Sequence, residues 1–256
     1  MKKKRSPAIL SASFSASHVL FALLALSIGA YVLTQNVLFA FASFALIISL
    51  FVSDFSVEQG WKQNALELAY ALGFAVAAWF LLGFALQTDS PINVVTSCSM
   101  LPSLQRGDLV FIQGGSVKAP EVQAPFEELR SVKVRKGVCY LNSVPLQCTD
   151  RVLVANETID EGLDNDIIVF DPKPTGPGLL IHRAFAKIRT EQGVFFLTKG
   201  DNNAVLDQEN GRFSFVAEKD VKGRVVLAIP YVGYLKLFLF LQFEVPPGCD
   251  SVLMRA

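Results

Sequence analysis

The 256-residue chain is long enough for a membrane anchor plus one domain of ordinary size, or for two small domains. Its apolar share of 52% and mean hydropathy of +0.41 are high for a soluble protein, and most of the excess lies before residue 88. With 23 basic residues against 23 acidic ones and no basic stripe interleaved with aromatics, nothing in it suits a nucleic acid.

The start, Met1-Lys2-Lys3-Lys4-Arg5, is a cluster of cations. Apolar runs follow from about Val19 to Leu33, from Val37 to Val52, and from about Ala65 to Leu86, the last with one acid, Glu67. A spanning helix needs about 20 apolar residues, within a usable range of about 17–25. The third run meets this and the first two stand at its short end. Two helices joined by a tight turn at Thr34-Gln35-Asn36 are favoured over one long helix or a re-entrant hairpin, because Gln35 and Asn36 are costly in hydrocarbon. A cleavable leader is disfavoured, since no clear small-x-small site separates the runs. Lys2 to Arg5 should stay cytoplasmic by the positive-inside rule. Three spans then place everything after Leu86 on the other face; two would leave it in the cytoplasm. The expectation is an anchor over residues 1–88 with about three transmembrane helices, in a cell membrane or the endoplasmic reticulum membrane.

From about Thr88 to Pro230 short β-branched and aromatic runs are separated by Gly, Pro, Asn and Asp. Leu109–Ile112, Val132–Val138, Arg151–Val154, Ile167–Phe170, Leu179–Ile188, Val194–Thr198 and Val221–Ala228 read as strands of an all-β domain spanning 89–235. Residues 114–150 look like an inserted loop and hairpin. Cys139 and Cys148, nine residues apart around Asn142-Ser143, are expected on facing arms and suit a disulfide if the domain lies outside the cytoplasm. The plainer alternative is two free, small, apolar side chains. Cys249 is expected to be free. No CxxC pair suggests a zinc site, so no metal is expected. Asn156-Glu157-Thr158 fits a glycosylation acceptor, a pattern common by chance. The apolar tail, 236–256, is too short to span; Leu235 to Phe243 reads equally as an interfacial segment or a closing strand.

The stretch with most chemistry is Ser97-Cys98-Ser99-Met100-Leu101-Pro102, followed by Gly107-Asp108. A serine nucleophile needs a base. Of the two histidines, His18 lies at the lip of the first span, so only His182 can share a face of the membrane with Ser99. A lone histidine in a strand is more often simply satisfied in a core. Thr198-Lys199-Gly200-Asp201-Asn202-Asn203 and Asp207 offer acids that could hold the imidazole, although Gly-Asp-Asn-Asn alone reads as a tight turn.

Together these blocks resemble the type I signal peptidases, specifically the branch found in archaea and as the catalytic subunit in the endoplasmic reticulum. The resemblance rests on Ser97–Asp108, Asp166–Phe170, Ile181-His182-Arg183, Thr198–Asp207, and Asp220-Val221-x-Gly223 with Ile229-Pro230-Tyr231-Val232-Gly233, in the family's order. The bacterial branch has a lysine base where His182 stands. The resemblance implies N-terminal transmembrane helices followed by an all-β signal-peptidase-like catalytic domain. It implies Ser99 as nucleophile, His182 as general base, Asp201 and Asp207 as required acids, and Ser97 with the N–H of Ser99 as oxyanion hole. It also implies a membrane-bound serine endopeptidase without a cofactor. Its partners would be signal-peptide-bearing preproteins cleaved after small residues, the lipid bilayer and the protein translocation channel. Cys98 departs from the usual glycine, Asn165 replaces a common glycine, and Cys98 as the nucleophile is the sharper alternative.

Other classes fit less well. Self-cleaving repressor-type peptidases use lysine and lack spans. A transporter would want more polar residues in its spans. A catalytically inactive membrane-tethered β domain, acting as scaffold or accessory subunit, remains the non-enzyme reading, against which all four candidate catalytic residues stand.

Overall fold

A computed structural model describes residues 16–53, 60–172, 178–209 and 214–255. The described residues fall into two compact units, one of 16–68 with Phe238–Phe243, the other of 69–237 with 244–255. The cationic cluster at Lys2 to Arg5 lies outside the described residues.

In the first unit, helices α1 (Ala16–Thr34) and α2 (Val37–Ser53) form an antiparallel pair. Gln35, at φ 53°, turns the chain between them, and Asn36 Oδ1 caps α2 by accepting from Leu38 N at 3.0 Å. Both side-chain amides are exposed in the turn. Ser27 Oγ donates to Phe39 O at 2.9 Å, and Ser43 Oγ stands 3.0 Å from Ser27 Oγ, so two small hydroxyls clasp the pair. Tyr31 is fully buried; its hydroxyl donates to Phe243 O at 2.7 Å and its ring meets Phe238 edge-on at 5.0 Å.

Helix α3 (Trp61–Leu86) has 26 residues, about 39 Å at 1.5 Å per residue, enough to cross a hydrocarbon core of about 30 Å. None of its residues is buried, and Phe74, Phe80 and Phe84 stand fully outward. By length and composition, Ser17–Thr34 and Trp61–Leu86 are long and apolar enough to cross a membrane; the apolar stretch Val37–Val52 is shorter.

The second unit is all-β and largely antiparallel. Its larger sheet runs β1 (Ile92–Val94), β2 (Leu109–Gln113), β11 (Val221–Ile229), β7 (Ile167–Phe170), β8 (Leu180–Thr190), β9 (Gly193–Lys199), β10 (Val216–Ala217). Strand β3 (Glu121–Gln123) pairs in parallel with the far half of β8, beyond the stretch that β7 covers. A second sheet runs β12 (Leu253–Arg255), β4 (Lys133–Leu141), β5 (Val144–Val154), β6 (Glu157–Asp160). Val152, Val154 and Ile159 from it pack with Phe185, Ile188 and Leu197 of β8 and β9, closing the core between the sheets. Fully burying one such side chain contributes about 1.5–3 kcal/mol.

The β4–β5 hairpin turns at Asn142 and Ser143, both at positive φ (50° and 68°), the mirror-image turn whose twist suits a two-residue hairpin. Cys139 faces Leu146, and Cys148 faces Gly137, so the two cysteines are diagonal rather than directly opposed; a disulfide joins them with Cα atoms 5.8 Å apart. The next turn, at Ala155 and Asn156, leaves the Asn156-Glu157-Thr158 acceptor pattern exposed.

One expectation needs correction. Cys249 is not free: it is bonded to Cys98, 151 residues away. Of the two readings of Leu235 to Phe243, the closing strand is excluded. Residues Tyr234–Leu239 form the short helix α4, in which Tyr234, Leu237 and Phe238 are buried, an i, i+3, i+4 set. The closing strand is β12, at the very end of the described chain, on the edge of the hairpin sheet.

Candidate active site

Ser99 lies in a turn between β1 and β2. The turn is anchored by Met100, which packs among Val95, Leu104, Val110, Ile112 and Val169. Leu101 N donates to Cys98 O (3.3 Å) and Leu104 N to Met100 O (2.9 Å), so the apolar side chain points down and the serine hydroxyl is left at the surface. The Leu101–Pro102 peptide is cis. Downstream, Gly107 has φ 91° and a Cβ there would stand 2.3 Å from the Tyr234 ring, so glycine alone lets α4 close against this turn.

Strand β8 supplies His182, opposite Ile168 of β7, and the loop after β9 supplies Asp207. Two main-chain groups of Thr198 pin that loop: its carbonyl accepts from Asp207 N at 2.9 Å, and its N–H donates to Gln208 Oε1 at 3.0 Å. His182 Nε2 is 2.9 Å from Ser99 Oγ, and His182 Nδ1 is 2.6 Å from Asp207 Oδ2. The same carboxylate oxygen accepts from Thr198 Oγ1 at 2.7 Å. His182 and Asp207 are buried, at 5% and 6% exposure. An ionised carboxylate accepts only, so Nδ1 carries the proton toward Asp207, and Nε2 is left to accept from the serine O–H. An imidazole so placed can take a hydroxyl proton as that oxygen attacks a carbonyl. Ser97 Oγ stands 3.2 Å from Ser99 Oγ and is exposed, free to turn toward an incoming group.

The two candidate acids separate. Asp201 does not meet His182; it takes the fork of Arg183, with Nε to Oδ1 at 2.8 Å and Nη2 to Oδ2 at 2.7 Å. The Arg183 guanidinium also donates to Asn165 O (2.5 Å) and to Ser103 Oγ (3.1 Å), tying the Ser99 turn to β8 and the 200–203 turn. Asp201 therefore buttresses the site through Arg183 rather than touching the imidazole. The Cys98 alternative fails on chemistry: Cys98 is in a disulfide and has no thiol to ionise.

Lys199 neighbours these residues in sequence but is taken up elsewhere. Its buried ammonium donates to Thr149 O at 2.8 Å and to Glu161 Oε1 at 2.9 Å. Burial pushes it below the ordinary lysine range, with Glu161 working against that. Burial pulls the Glu161 carboxyl upward, but Arg255 and Lys199 outweigh it and hold it below the usual carboxylate range. Under the turn, burial raises the Asp108 carboxyl, against hydrogen bonds that include the one from Gln105 N at 2.9 Å.

Sequence reasoning missed three contributors. Thr198 stands at the head of the Thr198–Asp207 block, but nothing in the sequence gives it a role. Asn202 looked like turn filler, and Arg255 stands 94 residues from its partner Glu161. None of these separations leaves a local signal.

No family model matches the chain. Over 183 residues it is 31% identical to the signal peptidase complex catalytic subunit SEC11 of Tuber melanosporum, covering 69% of this chain and 77% of that protein. The subunit of the same name from Arthroderma otae is 32% identical over 187 residues (68% and 79%), and that from Pyricularia oryzae 30% over 177 (68% and 78%). Identity at this level over two thirds or more of both chains, with the motif blocks in order, settles the kinship: the chain belongs to the family of signal peptidase complex catalytic subunits.

Proposed function

We propose that the protein removes N-terminal signal peptides as a serine peptidase in which Ser99 attacks the scissile carbonyl, His182 is the general base and acid, and Asp207 orients His182. The observation that carries this is the unbroken chain Ser99 Oγ–His182 Nε2, His182 Nδ1–Asp207. As Ser99 Oγ attacks, its proton passes to Nε2. The imidazolium formed is stabilised by the Asp207 carboxylate, which Thr198 holds in place. The same proton then goes to the leaving amine, and a water repeats the cycle to free the acyl group. The Ser99 N–H and the Ser97 hydroxyl stabilise the oxyanion; one such donor is worth about 3–4 kcal/mol.

The β unit works on the non-cytoplasmic face. Two disulfides among the described residues suit an oxidising compartment. Residues 1–88 form the anchor, and Ser99 follows 13 residues past the end of α3, where a preprotein leaving the translocation channel presents its cleavage site. The test is cleavage of a preprotein with a small-x-small site by the full chain in liposomes. The wild type should cut at that bond and Ser99→Ala should not; cleavage by Ser99→Ala would overturn the assignment.

A further inference from the structure

The C-terminal segment reaches the nucleophile. Cys249 is bonded to Cys98, the residue immediately before Ser99. Asn202 binds both pieces. Its backbone N–H donates to Ser99 O at 2.7 Å. Its side-chain amide lies 3.1 Å from Cys98 O, 3.2 Å from Gly248 O and 3.0 Å from Ser251 O, while its Oδ1 accepts from Leu253 N at 2.7 Å. Arg255 closes the far end, reaching Asp201 O at 3.2 Å and the Glu161 carboxylate. The 200–203 turn approaches so closely that a Cβ on Gly200 would stand 2.6 Å from Ser99 O. The carbonyls of Cys98 and Ser99 are thus fixed by one asparagine, and the side chain of Cys98 by a covalent bond to the tail.

We propose that residues 248–255 form a strap that positions the nucleophile, with Asn202 and the Cys98–Cys249 disulfide as its two clamps. The proposal rests on Ser99 being the nucleophile. The strap acts through the backbone of the turn: holding both carbonyls sets the direction of the Ser99 side chain toward Nε2 and fixes its N–H, the proposed oxyanion donor. Its clamps hold the backbone of the turn and not the imidazole, so it acts on turnover rather than on binding. Misplacing a reacting group by about 1 Å costs about 100-fold in rate.

The test uses the full chain in detergent or liposomes and the preprotein cleavage assay, with kcat and KM taken separately per folded molecule. The Cys98→Ser/Cys249→Ser variant is expected to lose about 10- to 100-fold in kcat with KM within about threefold. A dithiol reductant should do the same to the wild type: it gives two electrons and two protons, the S–S bond becomes two thiols, and the reagent becomes a cyclic disulfide. Reoxidation should restore kcat. A Cys139→Ser/Cys148→Ser variant should keep wild-type kcat and remain sensitive to reductant, which assigns the effect to the strap. Asn202→Ala, which leaves the disulfide intact, should show the same kcat-selective loss and decides the matter if the cysteine variant does not fold. Wild-type kcat in folded Cys98→Ser/Cys249→Ser or in Asn202→Ala, or a rise in KM at unchanged kcat, overturns the proposal. Ser99→Ala separates the two failures: if it is inert while the strap variants turn over normally, only the strap is wrong, whereas if it cleaves, the nucleophile is wrong.

Discussion

The acids around His182 divide the work. Asp207 accepts from the imidazole and from Thr198, whereas Asp201 is consumed by the Arg183 fork. Both should be required, for different reasons. Asp207→Asn should leave the melting temperature near wild type and lower kcat by about 10⁴-fold, because the wrong tautomer is held against the serine. Asp201→Asn leaves the Arg183 cation buried and half-partnered, at a cost of about 3–5 kcal/mol, and should show first as a lowered melting temperature. Thr198→Val removes one hydrogen bond to a charged oxygen, worth about 1.5–3 kcal/mol. A drop of about tenfold in kcat, with KM unchanged, is the expected reading from steady-state kinetics. The sequence offered His182 as the base almost without competition, since only two histidines exist and the other, His18, lies in the first turn of α1. It could not divide the two aspartates, because the difference lies in which way β8 and the loop after β9 point their neighbours, and that is a tertiary fact.

At the level of elements, strands β7, β8 and β9 were legible from their β-branched runs, and the two-residue hairpin turn from Asn142-Ser143 between its cysteines. Strand β3 and the end strand β12 were not: each is three residues long, too short to show a period, and exists because a neighbouring strand had a free edge. The residues Leu235 to Phe243 misled because apolar residues outnumber polar ones so heavily that alternation and helical spacing look alike; packing chose the helix. The Lys199–Glu161–Arg255 cluster joins β9, the end of β6 and β12, and its stability contribution has a definite sign. The Glu161 carboxyl is held below its ordinary range in the folded chain. Its contribution is therefore present above the unfolded-state value of about 4.3 and is lost as pH falls through the lower folded value. Glu161→Gln should lower the melting temperature at neutral pH and flatten its decline on acidification; an unchanged acid profile would contradict this.

For the molecule as a whole, the two disulfides close loops of very different length. In the chain-entropy picture the Cys98–Cys249 link, across 151 residues, restrains the unfolded chain by about 5 kcal/mol, and Cys139–Cys148, across nine, by about 2–3 kcal/mol. Removing the first should lower the thermal midpoint more than removing the second, as read by calorimetry of the full chain. Nothing local marks the long link: Cys98 and Cys249 are 151 residues apart, and only the fold of the tail brings them together. The apolar helices, by contrast, were plain from composition: two described helices are long and apolar enough to cross a membrane, and the stretch between them is shorter.

The most direct check on the serine–histidine–aspartate assignment is a double-mutant comparison: kcat for preprotein cleavage by wild type, His182→Ala, Asp207→Asn and the pair together, per folded molecule. If Asp207 acts only through His182, the double variant loses no more than His182→Ala alone, which itself falls by about 10⁴-fold or more. If His182→Ala keeps near wild-type turnover, or if the two losses multiply, the imidazole is not the base that Asp207 serves, and the account is wrong.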